Sequence, residues 1–107
     1  MSAREKGKRY ERKLVEFLKE RGWKSRRVPA SVIDVIATKG DRIAAFEVKY
    51  RKNKVKSVQV KRLFEWLDLF DAYKKKEAVL AIYVDRWIFM RVDEVKDYVV
   101  KESNWVP

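Results

Sequence analysis

The chain has 107 residues, enough for one domain with a small core. Its 27 lysines and arginines outnumber 16 acidic residues, giving a formal charge of +11; that balance favours a polyanionic partner, nucleic acid above all. With no cysteine and no histidine, disulfides, zinc sites built on those residues and histidine general bases are excluded, and any metal must be held by oxygens, which suits magnesium or manganese.

No apolar run approaches the ~20 residues that span a bilayer. The opening residues MSAREKGKRYERK lack the apolar stretch of a secretion signal. A soluble, intracellular protein is expected, and the high charge content also resembles that of hyperthermophile proteins.

In chain order, Arg4 to Arg21 reads as a helix, with Tyr10, Leu14, Phe17 and Leu18 at helical spacing and Gly22 as its stop. Trp23 to Val28 reads as a strand ended by Pro29. Val32 to Thr38 and Arg42 to Tyr50 are short Val/Ile/Phe-rich runs joined by Thr38-Lys39-Gly40-Asp41, the pattern of two paired strands. Arg51 to Lys56 is a basic loop. Ser57 is a plausible N-cap for a long helix to about Tyr73, and Lys74-Lys75-Lys76 suits the negative end of that helix's dipole. Ala78 to Val84 and Trp87 to Val92 read as a hairpin turned at Asp85-Arg86. Asp93 caps a short helical turn, and a tail holding Trp105 follows. Helix, three strands, helix, two strands is an α/β arrangement with a mixed sheet.

The chemistry concentrates in the two paired strands. Residues two apart share a strand face, so Glu47 and Lys49 point one way while Phe46, Val48 and Tyr50 point the other. Asp34 lies on the neighbouring strand. Burying an unpaired carboxylate is costly, so two acids and a lysine at the ends of paired apolar strands point to a site. Such a set suits a divalent metal and an activated water, the chemistry that cuts phosphodiesters. Glu-x-Lys alone is weak in so charged a chain, and a structural ion pair at a strand end is the competing reading. Glu11 adds weight, because its helical neighbours Leu14, Val15 and Leu18 place it at the border of the apolar stripe. Its other reading is a solvated partner for Arg12 or Lys8.

The segments GKRYERKLVEFLKERGW, RRVPAS, IDVIA and AAFEVKYRK jointly resemble the archaeal Holliday junction resolvases. These are small nucleases of the PD-(D/E)xK, or restriction-endonuclease-like, superfamily. The likeness continues more loosely through SVQVKRLFEWLDLFDAY and AVLAIYVDRWIFMRV. It implies a single nuclease domain over residues 1–107, with a restriction-endonuclease-like α/β core: a central mixed five-stranded sheet flanked by helices. It implies that Glu11, Asp34 and Glu47, with the Val48 carbonyl, hold Mg2+ (Mn2+ as an alternative). Lys49 matches the lysine that orients or activates the attacking water, and Ser31 a loop serine near the scissile phosphate. At Ser31 the chain departs from the pattern, since only Val32 and Ile33 separate it from Asp34.

Candidates for holding the DNA backbone are Arg4, Lys6, Lys8 and Arg9, then Arg26 and Arg27, then Arg51, Lys52, Lys54 and Lys56. No segment looks like a major-groove reading helix, which is consistent with recognition of branched DNA by shape. On the second helix Val60, Leu63, Phe64 and Leu67 make one core stripe, yet Trp66, Leu69, Phe70 and Tyr73 widen the apolar arc to roughly 220°. That surplus reads as a homodimer interface; a C-terminal tail folded over it, with Val99, Val100 and Trp105, is the alternative. The competing functions are a nicking or restriction-type nuclease of the same fold and a non-catalytic basic nucleic-acid-binding protein.

Overall fold

A computed structural model describes the backbone at residues 3–28, 33–50, 57–92, 100–102 and 105–107, with side chains described at 7–28, 33–50, 62–91 and 105–107. Helix α1 (Ala3–Lys19) is followed by strands β1 (Lys24–Arg27), β2 (Val35–Lys39) and β3 (Arg42–Tyr50). Helix α2 (Ser57–Leu67) leads to β4 (Lys75–Tyr83), β5 (Trp87–Val92) and the short β6 (Val100–Glu102). The five expected strands form one mixed sheet, and β6 extends its edge, giving six strands in the order β1-β2-β3-β4-β5-β6. All pairs are antiparallel except β3 with β4. That parallel pair needs a crossover, and α2 lies within it.

α1 stops for a reason visible in its sequence. Gly22 has φ 87°, a left-handed conformation that a Cβ would disfavour. Its N–H donates to the Lys19 carbonyl at 3.1 Å, and the Trp23 N–H reaches back to the Leu18 carbonyl at 3.0 Å. This is the Schellman pattern, with Trp23 and Leu18 buried together behind it. The β4–β5 hairpin turns at Asp85, where φ is 63°. Aspartate tolerates that conformation better than most side chains.

The sheet carries a core on each face. On one, α1 contributes Leu14, Val15 and Leu18 against Val35, Ala37, Ala44, Phe46, Val79, Ala81 and Phe89. On the other, Leu63 and Leu67 of α2 cover Ile43, Ala45, Ala78 and Leu80. The alternation along β3 therefore sends Phe46, Val48 and Tyr50 toward α1, and Glu47 and Lys49 toward the α2 face.

Three expectations change. α2 ends at Leu67, not near Tyr73. Tightened bonds close the chain there: Leu69 N–H to the Trp66 carbonyl and Phe70 N–H to the Leu67 carbonyl, each three residues back. Lys75 and Lys76 accordingly open β4, so the lysine triplet does not complement a helix dipole. Trp105 does not cover Trp66, Phe70 and Tyr73. It is buried on the α1 face, 5.2 Å from the Phe46 ring, 4.8 Å from Phe89 and 5.5 Å from Trp23. The helical turn expected at Asp93 lies outside the described residues.

Trp105 is 3 % exposed, so Trp105→Ala leaves a large cavity. The expected cost is about 3–5 kcal/mol, read as a lowered urea midpoint with an unchanged m-value.

Candidate active site

The site forms where β2 and β3 cease to pair. Their ladder runs to Val35 opposite Phe46. One residue earlier, the Asp34 N–H still donates to the Phe46 carbonyl at 3.0 Å. Beyond that point, among the described residues, no backbone bond from the β2 side to β3 follows. The Asp34 side chain takes over, its Oδ2 accepting the Val48 N–H at 2.8 Å. Asp34 thus stands just before β2, fixed against β3 by one main-chain and one side-chain bond. Strand parity aims the Val48 carbonyl toward the same edge as its N–H.

Glu47 lies alongside. It is 6 % exposed, and Lys49 Nζ reaches its Oε1 at 3.2 Å. Glu47 also shares a hydrogen bond with Asp34. A buried and a half-buried carboxyl group therefore meet one ammonium, a charge deficit that favours protonation of the pair. Burial, with the charge of Asp34 added, pushes the Glu47 pKa up from 4.5 to about 7. Burial also raises that of Asp34, although the Val48 N–H opposes the shift. A simple structural ion pair needs one acid. The charge that the second acid adds is what a hard divalent cation would balance in place of a proton, so Asp34, Glu47 and the Val48 carbonyl fit such an ion.

Glu11 reaches the same end of the sheet from α1. Burial and the Asp34 charge raise its pKa, which places it in the field of the pair. Its carboxylate is engaged by Arg27, Nε to Oε1 at 3.2 Å. Among the described residues no three acidic side chains are gathered as a closed cation cage. Glu11 is thus beside the Asp34–Glu47 pair but held by another partner. Sequence reasoning took Arg27 only for a phosphate contact and missed this role, which depends on a contact between α1 and the end of β1 that residue order does not show. It also missed Tyr10 and Tyr50, the neighbours of Glu11 and Lys49, whose rings stack at 4.7 Å and tie α1 to the end of β3.

Lys8, Arg9 and Arg26 are exposed. Ser31, Arg51, Lys52, Lys54 and Lys56 lie outside the described residues, as do the side chains of Arg4 and Lys6.

The pKa shifts have a sign that can be tested. A carboxyl group whose folded pKa exceeds its unfolded value adds stability while protonated, and that contribution is lost as pH rises through the folded pKa. In metal-free buffer the melting temperature should fall between about pH 5 and pH 8 as Glu47 ionises beside Asp34. Glu47→Gln should flatten that fall, as scanning calorimetry across the range can show.

Comparison with known proteins gives the family. The family model for archaeal Holliday junction resolvase (Hjc) matches residues 2–104. The crossover junction endodeoxyribonuclease Hje of Sulfolobus acidocaldarius is 34% identical, covering 94% of this chain and 80% of that protein. A crossover junction endodeoxyribonuclease of Sulfolobus islandicus rod-shaped virus 1 is 33% identical over 78% of this chain and 84% of its own length. The solved structure of Archaeoglobus fulgidus Hjc, a Holliday junction resolvase, superposes with a TM-score of 0.70 at 26% identity, covering 91% of this chain and 84% of that one. With a family model matched over nearly its whole length and relatives above 30% identity, this chain belongs to the archaeal Holliday junction resolvase family.

Proposed function

We propose that this protein is a metal-dependent, structure-selective endonuclease that resolves four-way DNA junctions by paired phosphodiester hydrolysis. The observation that carries the reading is the buried Asp34–Glu47 pair beside Lys49 at the open end of the β2–β3 ladder. A divalent cation, Mg2+ or Mn2+, held by Asp34, Glu47 and the Val48 carbonyl would lower the pKa of a water and offset charge on the phosphate. Lys49, tethered to Glu47 at 3.2 Å, places a positive charge where a phosphoryl oxygen becomes more negative. Glu11 lends further negative field to the cation while Arg27 holds it in place. Exposed Lys8, Arg9 and Arg26 supply phosphate contacts that carry no sequence information.

The protein acts as a homodimer in this reading. Leu69 is 75% exposed, and beside it Trp66 and Phe70 pack at 4.8 Å while only partly buried. An apolar corner of this kind supports an interface. A twofold pair of subunits would present two equivalent sites to symmetrically placed strands. Sedimentation at micromolar concentration should give a dimer, and Leu69→Glu should shift it toward monomer; a wild-type monomer would remove paired incision from the mechanism.

Glu47→Gln should cut junction cleavage by about 100-fold or more with little change in junction affinity. Asp34→Asn should do the same. Lys49→Ala should lower the rate more than the affinity. Side-by-side assays on a mobile four-way junction and a linear duplex with Mg2+ separate this function from that of a nicking or restriction-type relative. Equal cleavage of both would select the latter.

A further inference from the structure

Arg42, Lys74, Lys75, Lys76 and Arg91 converge with Glu77 around an open cleft of about 470 Å³ at the sheet end where β3 and β4 begin. Five cations meet one carboxylate there, brought from the starts of two strands and from a third. Arg42 is built in rigidly: Glu77 takes its Nε at 2.8 Å, the Val106 carbonyl takes Nη2 at 3.0 Å, and its guanidinium lies 4.7 Å from the Trp23 ring. Lys76 contacts Asp71, an exposed carboxylate, at 3.2 Å, a pairing of little weight in water. Lys74 and Lys75 are exposed, and among the described residues neither ammonium has an ion pair. Like charges gathered in one cleft repel one another, and a polyanion relieves that cost.

The cleft is remote from the carboxyl groups. Five residues of strand separate Arg42 from Glu47, about 16 Å at 3.3 Å per residue, and the odd offset puts the two side chains on opposite faces of the sheet. A straight duplex lying across Asp34 and Glu47 does not run through it. A branched DNA offers what a straight one lacks, an arm leaving in another direction. We propose that this cleft binds the phosphate backbone of a junction arm other than the one at the same subunit's acid pair, with Lys74 and Lys75 as the main contacts. The proposal rests on the junction-cleaving function, and its test is separable from that function.

The experiment compares wild type with Lys74→Ala/Lys75→Ala on two four-way junctions. One has arms of about 20 base pairs. The other has arms of about 3 base pairs closed by hairpin loops, about 10 Å at 3.4 Å per pair, which falls short of the roughly 16 Å of strand between the acid pair and the cleft. Affinity is measured against salt. Wild type should show the steeper log–log slope on the long-armed junction. The variant should lose about 2 from that slope, about 0.9 for each phosphate contact removed, and should match wild type on the short-armed one. An unchanged slope on long arms overturns the proposal, and so does an equal loss on both junctions. An unchanged melting temperature establishes that the variant is folded. Cleavage of either junction by wild type tests the nuclease function independently.

Discussion

The end of the β2–β3 ladder is the constraint on which this molecule depends. A strand that runs past its partner exposes main-chain groups, and a buried one must be satisfied. Here Asp34 supplies the missing acceptor for the Val48 N–H. That one hydrogen bond keeps a carboxylate where burial disfavours it, and by holding Asp34 it also sets the spacing to Glu47. The main-chain bond from Asp34 to the Phe46 carbonyl and the hydrogen bond shared with Glu47 hold the same spacing. The remaining features at this end support the pair. Lys49 bridges to Glu47, Arg27 restrains Glu11, and the Tyr10–Tyr50 stack locks α1 onto the last residue of β3.

Both faces of the sheet are covered, and that determines which chemistry is available. With α1 over Phe46 and α2 over Ala45, the middle of β3 has no room for a polar group. Charge enters only where the helices no longer cover the strand, at Glu47 and Lys49 on one end and at Arg42 on the other. The two ends solve the burial problem differently. At Arg42 a complementary carboxylate and two indole rings neutralise one cation in place. At Glu47 two acids compete for one lysine, and the excess is left to a proton or a cation. The first arrangement is balanced in charge and the second is not, although β3 contributes to both.

Much of this was legible from residue order. The helical stripe of α1, the bounds of β3 and the Asp85 turn each follow from periodicity and turn chemistry, and Asp34, Glu47 and Lys49 stood out because apolar strands have no use for charge. What the sequence concealed were relations across the fold. Nothing adjacent to Arg27 shows that Glu11 will claim it. The end of α2 was hidden because Phe70 and Tyr73 continue its apolar pattern while packing, after the turn, against the same side of the sheet as the helix does. Misplacing that end turned three lysines at the head of a strand into helix-dipole partners. Trp105 could not be assigned to a face, since a lone aromatic far along a chain has no periodicity to read.

The strand order has a consequence for how the protein is made. Each strand pairs with the one before it in sequence, so the sheet can grow outward in the order of synthesis, and local pairing of this kind favours rapid folding. The acid pair sits in the second and third strands and is assembled early. The α1-side core is not closed until Trp105 fills the space between Trp23, Phe46 and Phe89. A nascent chain therefore carries its acid pair before the opposite core is sealed, and the packing of that core is complete only once Trp105 is in place.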